Sequence, residues 1–257
     1  MAMLPFLGYG KVFTEKLNIS YNPEWERCVM DIYSPQDPES AEPLPVIVWF
    51  HGGGLTGGEK FLPEQLKTGE YIVVAPNYRL LPNVSIDQCI DDAATAVAWV
   101  MDSISGYGGD PDKIFVSGHS AGGYLTSMIG FDKSWLEKHG KDADKIKGLI
   151  PFSGQSITHF AQRQKLGISE LTPTIDEFAP LFHIRKEAPP YIIITGDREL
   201  ELYGRYEENA YLYRMLKLQG HPFIRIYELD GYDHGEMHNP AYHILKNSIK
   251  EILWNVP

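Results

Sequence analysis

Cysteine is scarce in this chain. Cys28 and Cys89 are its only two, too few for a disulfide framework, so both read as buried free thiols. No apolar run approaches the ~18 residues needed to span a bilayer. The opening Met1-Ala2-Met3-Leu4-Pro5-Phe6 lacks a basic region followed by an apolar one, so no signal peptide is expected and a cytoplasmic location is. Basic residues are outnumbered, 23 to 34, for a net charge of −11. No Lys/Arg run exceeds two residues. An acidic surface repels phosphate backbones and anionic lipid, which argues against nucleic-acid and membrane partners. A Walker-type phosphate loop is also missing, and Gly52-Gly53-Gly54 does not fit a dinucleotide G-x-G-x-x-G. No cofactor is expected.

What is present is an ordinary globular mixture, 43 % hydrophobic and 22 % charged over 257 residues, suited to a single α/β domain spanning 1–257. Two polar/apolar alternating stretches, 12–20 and 27–33, predict an antiparallel edge. Six apolar runs follow, at 46–50, 71–75, 113–117, 148–152, 191–195 and 223–228, and predict buried strands. Helical patterns at 86–103, 121–131, 205–219 and 241–254 lie between or after them, the alternation of a largely parallel sheet. In the first helix Ile90, Ala93, Ala94, Val97 and Val100 recur at helical spacing. Gly220 suits the left-handed residue that ends the third. Segment 155–190 is long for a plain crossover and contains four prolines; it predicts a short helix and a lid-like excursion over the site edge.

Gly118-His119-Ser120-Ala121-Gly122 follows the run Ile114-Phe115-Val116. A G-x-S-x-G between a strand and a helix presents its serine as a nucleophile and leaves the next N–H free at a helix N-terminus. Upstream, the strand ending at Phe50 runs into His51-Gly52-Gly53-Gly54, where the backbone can approach a substrate closely. The N–H groups of Gly53, Gly54 and Ala121 are the candidate oxyanion hole. His51 reads as a support for the glycine loop.

A serine hydroxyl needs a base, and the base an acid to orient it. Strand 191–195 runs into Gly196-Asp197-Arg198-Glu199, making Asp197 the leading acid, with Glu199 and Glu201 as rivals on the same loop. Strand 223–228 is followed by Asp233-His234-Gly235, making His234 the leading base and His238 its rival. His119 can flank the pocket. His234 and His238 are four apart, as in helical zinc sites, but Glu236 is one position off the zinc-protease pattern and Gly235 weakens the helix; no metal site is assigned. Phe152, Gln155, Phe160, Phe178 and Phe182 are candidates for an acyl pocket.

These residues resemble the α/β-hydrolases related to hormone-sensitive lipase and the bacterial acetyl-esterases. The resemblance rests on the HGGG loop, Tyr78-Arg79-Leu80, the stretch Gly108-Gly109-Asp110-Pro111-Asp112-Lys113-Ile114 and G-x-S-A-G-G. It implies an α/β-hydrolase fold with a mostly parallel, eight-stranded twisted sheet and helices on both faces. It departs from the lipase-like members in two ways: the HGGG loop begins at residue 51, leaving little chain before it for a helical cap, and His119 stands where many relatives carry Asp. The chain is thus more similar to compact acetyl-xylan and feruloyl esterases and to the kynurenine formamidase-like group. The activity implied is a serine carboxylesterase with a Ser120-His234-Asp197 triad, acting on small esters such as acetyl or feruloyl groups on plant polysaccharide fragments. An arylformamidase-type amidase would use the same residues, and a non-catalytic receptor of this fold would need a broken triad.

Overall fold

The computed structural model describes residues 13–36, 38 and 42–255. Residues 1–6 of the signal-peptide reading, and Val12 of the first expected strand, lie outside them. Eight strands form one sheet: β1 (Phe13–Ser20), β2 (Val29–Pro35), β3 (Leu44–Phe50), β4 (Ile72–Pro76), β5 (Gly109–His119), β6 (Gly148–Phe152), β7 (Tyr191–Gly196) and β8 (Ile224–Leu229). Their spatial order is β1-β2-β4-β3-β5-β6-β7-β8. β1 pairs antiparallel with β2, and β2 antiparallel with β4. Every other pairing is parallel. With helices on both faces, this is the α/β-hydrolase fold.

The helices are α1 (Ile86–Ser103), α2 (Ala121–Phe131), α3 (Ser134–Glu137), α4 (Phe160–Lys165), α5 (Arg205–Leu218) and α6 (His238–Asn255). Along β3 the side chains alternate between two cores, because successive Cβ atoms of a strand point to opposite faces. Val46, Val48 and Phe50 join the residues of α1, α2 and α5. Ile47 and Trp49 join Tyr242, Leu245, Ile249 and Ile252 of α6. Burial on both faces explains why the central strands read as continuous apolar runs. At the edge, β1 has no buried residue.

Helix boundaries follow local chemistry. α1 starts where Ser85 and Gln88 form a capping box, the Ser85 N–H donating to Gln88 Oε1 at 3.0 Å. α5 stops two residues before Gly220, which adopts φ +79°. Two expectations fell short. β5 begins at Gly109 rather than 113, extended by its pairing with Leu44, and the short α3 had no periodicity to announce it. Cys28 and Cys89 are buried and unbridged. Among the described residues no helix is long and apolar enough to cross a membrane.

Segment 155–190 carries α4 and a 3-10 turn at Pro180–His183. Hydrogen bonds from Arg163 hold the segment to itself, and one from Tyr124 of α2 ties it to the body. Arg163 donates from Nε to the Thr158 carbonyl at 3.0 Å and from Nη1 to the carbonyls of Glu170 and Thr172 at 2.6 and 2.9 Å. Tyr124 donates to the Phe178 carbonyl at 2.8 Å.

Candidate active site

The parallel strands end on one edge, and the loops that leave them there supply the site. Between β5 and α2 the chain reverses at Ser120, which holds φ 56° and ψ −113°, a conformation rare for a residue with a side chain. The turn is possible because its flanks are bare. A Cβ on Gly118 would stand 2.5 Å from the Phe50 carbonyl oxygen, and one on Gly122 only 2.1 Å from it. The Ser120 N–H donates to the Phe152 carbonyl at 2.8 Å, which ties the turn to the end of β6.

His234 meets this serine. Its Nε2 accepts from Ser120 Oγ at 2.9 Å, and its Nδ1–H donates to Glu201 Oε2 at 2.8 Å. Donation from Nδ1 selects the tautomer whose Nε2 lone pair faces the hydroxyl. The Glu201 side chain is fully buried. It also accepts hydrogen bonds from Gly196 N–H at 3.0 Å, Leu202 N–H at 3.1 Å and the Ser153 hydroxyl. Burial would push its carboxyl up, but the hydrogen bond and charge of His234, with Ser153 and Gly196, outweigh it and hold the group at about 2.

The expected acid is therefore corrected: Glu201, not Asp197, reaches the imidazole. Asp197 accepts instead from the Glu199 and Gly231 N–H groups, at 2.9 and 2.8 Å, and these bonds lower its carboxyl below the ordinary range. It staples the β7 loop to the β8 loop. A turn in which the Glu201 N–H donates to the Asp197 carbonyl at 2.8 Å brings position 201 back over the strand end. The longer glutamate side chain then spans the gap to His234. Glu199 is exposed.

Two further residues brace the pair. His119 donates from Nε2 to the His234 carbonyl at 2.8 Å. Burial, then the neighbouring His234, holds the His119 imidazole down to about 4, so it is neutral at pH 7. Ser153, buried at φ 46°, sets its Oγ 3.0 Å from His234 Nδ1 while donating to Glu201. Sequence reasoning missed Ser153, which belongs to no motif. The available signal was its position just after β6, the strand beside the nucleophile strand, whose exit loop must border the site. His238, the rival base, has its Nδ1 on the Gly235 carbonyl.

The glycine loop stands opposite. Gly52 packs against the serine turn, a Cβ there falling 3.4 Å from Ser120 Cβ. Gly53 and Gly54 hold φ +115° and +64°. Among the described residues, no hydrogen bond uses the N–H of Gly53, Gly54 or Ala121, so these three candidate donors are unengaged. His51 supports the loop as expected: its Nδ1–H donates to the Gly52 carbonyl at 2.7 Å, and its ring stacks on Tyr78 at 4.4 Å. Tyr78 donates to the His51 carbonyl at 2.9 Å, and Arg79 grips the buried Asp92 through Nε and Nη2. The Tyr78-Arg79 motif thus anchors the loop from behind. Of the aromatic candidates, Phe160 sets its ring tip against Gly54, Phe152 and Phe178 pack in the cores and Phe182 is exposed.

The site thus holds a serine elbow, a buried carboxylate and a histidine in that chain order, at 120, 201 and 234. The BD-FAE family model matches residues 30–202. The chain belongs to the BD-FAE family. This BD-FAE chain is 29 % identical over 203 residues to a probable carboxylic ester hydrolase, LipM, of Mycobacterium tuberculosis, covering 70 % of this chain and 47 % of that one. It is 29 % identical to a probable isoprenylcysteine alpha-carbonyl methylesterase of Arabidopsis thaliana, covering 65 % and 40 %. It spans less than half the length of either relative. Among solved structures, a truncated carbohydrate esterase from gut microbiota superposes with TM-score 0.78 at 16 % identity over 95 % of this chain and 97 % of that one. The Est2 esterase of Thermogutta terrifontis superposes with TM-score 0.72 at 23 % identity over 96 % and 94 %. Both likenesses speak to the fold.

Proposed function

We propose that this chain is a serine carboxylic ester hydrolase working through Ser120, His234 and Glu201. The observation that carries the reading is the unbroken relay from Ser120 Oγ to His234 Nε2 and from Nδ1 to Glu201, at 2.9 and 2.8 Å. Ser120 Oγ attacks the ester carbonyl carbon while His234 Nε2 takes the hydroxyl proton. The carbonyl oxygen, now anionic, rests on the N–H groups of Gly53, Gly54 and Ala121. Collapse of the intermediate breaks the bond to the alcohol oxygen, which receives the proton from His234, and an acyl-enzyme remains. Water, deprotonated by the same imidazole, attacks that acyl carbon, and the acid leaves as the proton returns to Ser120. Glu201 stays ionised throughout and holds the imidazolium.

The substrates we infer are small-molecule esters, acetyl and feruloyl esters of polysaccharide fragments among them. Family membership and the esterase names of the relatives support the ester class. Segment 155–190 bears on the acyl site through Phe160 at Gly54.

The test is hydrolysis of 4-nitrophenyl acetate by wild type and by Ser120→Ala, with circular dichroism to confirm the fold. Wild type should turn over and label with a fluorophosphonate probe, and the variant should do neither. Equal turnover by the two proteins would remove Ser120 from its role. Parallel rates on feruloyl esters, acetylated xylo-oligosaccharides and N-formylkynurenine rank the acyl groups and separate ester from amide preference.

A further inference from the structure

Segment 155–190 and the approach to α5 line a half-open pocket of about 190 Å³ whose wall includes Gln155, Phe160, Arg163, Leu202 and Arg205. It shares structure with the reacting centre on three sides. Phe160 touches Gly54 of the glycine loop. Leu202 follows Glu201 directly. Arg205 donates from Nη1 to the carbonyl of Ser153, the residue whose hydroxyl meets Glu201 and His234.

Two arginines in the wall of one small cavity are unusual, because a buried guanidinium gives up its hydration. Arg163 and Arg205 are only 3 % and 4 % exposed. Carbonyls take Nε and Nη1 of Arg163. Glu208 lies 3.0 Å from Arg205 Nε. Among the described residues, no hydrogen bond uses Nη2 of either arginine or the side-chain NH₂ of Gln155, whose Oε1 accepts from Phe160 N–H at 2.9 Å. Glu208 is buried beside the pair, and burial pushes it up to about 7 despite Arg205. Glu170, which also contributes to the wall, is exposed. The two guanidiniums thus share Glu208 on the buried side and the exposed Glu170 at the rim, with the Nη2 groups left over. An arginine fork matches a carboxylate in geometry as well as charge.

We propose that this cavity is a subsite for a carboxylate carried by the ester substrate, so that half-esters of dicarboxylic acids, or esters of carboxylated alcohols, are preferred over neutral ones. The inference rests on the ester-hydrolase reading and adds the substrate class. Charge-assisted hydrogen bonds contribute ~1.5–3 kcal/mol, which corresponds to roughly ten- to a hundredfold in binding.

Two matched pairs test it in the wild-type protein: 4-nitrophenyl hemisuccinate against 4-nitrophenyl butyrate, and 4-acetoxybenzoate against phenyl acetate. The expected result is at least about tenfold higher kcat/KM for the charged member of one pair, carried mostly by KM. Arg163→Gln, checked for folding by circular dichroism, should erase the preference while neutral esters are still hydrolysed. Neutral esters turned over as well as both charged ones would overturn the subsite and leave the esterase reading intact. No turnover of any ester would sink the esterase reading instead. The wild-type comparison decides the matter even should Arg163→Gln fail to fold.

Discussion

Glu201 and Asp197 stand one turn apart on the same loop, yet only Glu201 meets His234, at 2.8 Å, while Asp197 spends its carboxylate on the N–H groups of Glu199 and Gly231. Glu201→Gln should therefore lower kcat on 4-nitrophenyl acetate by about 10²–10⁴, because the amide neither fixes the tautomer nor stabilises the imidazolium. Asp197→Asn should stay within about tenfold of wild type. The reverse ranking would restore Asp197 as the acid.

His119→Phe keeps a ring against His234 but deletes the N–H that holds its carbonyl. A buried acceptor left unpaired costs ~1–3 kcal/mol. Set against the placement of the base, that should appear as a fall in kcat of roughly five- to a hundredfold with KM little changed. Steady-state kinetics on the neutral ester would show it, and an unchanged kcat would reduce His119 to a packing residue.

Gly122→Ala places a methyl where the Phe50 carbonyl oxygen already stands, 2.1 Å away. Backbone lies on both sides, so no side chain can swing aside. Urea unfolding should show a loss on the order of 3 kcal/mol or more, or no folded protein. Gly140→Ala, with open space at its Cβ, is the control; its φ of +69° should cost only ~1 kcal/mol.

Stability should fall on the acid side of neutrality, driven by buried histidines. Burial holds His51 and His119 down to about 4 and His159 well below its ordinary value. The unfolded chain, with these imidazoles near 6.5, binds the protons first. Glu208, raised to about 7 by burial, works the other way, because the folded chain binds its proton first. Three depressed histidines outweigh one raised carboxylate, so the unfolding free energy should drop as pH falls from about 6.5 to 4. Glu201 acts with the opposite chemistry and the same direction: lowered to about 2, it contributes fully above about 4.5 and is lost as pH falls toward 2. Urea midpoints across pH 7 to 4 measure the first window. A level profile would mean the histidines titrate normally in the folded protein.

Much of the sheet was legible because its strands are buried on both faces and their apolar runs are bounded by glycine and proline. Ser120 and the Gly53-Gly54 pair were legible for another reason: each sits where backbone geometry restricts the residue type. His234 was legible as the histidine on the loop that leaves the last strand. The acid was harder. Three carboxylates at 197, 199 and 201 share one loop, and which of them turns inward depends on a hydrogen bond from the Glu201 N–H to the Asp197 carbonyl and on the space that Gly196 leaves beneath. Neither is a local preference of the residue itself. Ser153 was invisible for the same reason, since its partners Glu201 and His234 are distant in the chain and nothing in Phe-Ser-Gly-Gln calls for a left-handed serine.

The bond from His119 to the His234 carbonyl joins the residue before Ser120 to the backbone of the histidine that meets it. The separation of the Ser120 and His234 side chains is consequently governed by a short bracket across the sheet edge, in addition to the 230–233 turn that follows β8. Side-chain changes in segment 155–190 can then reshape which molecules enter, while the span over which the proton travels stays constant.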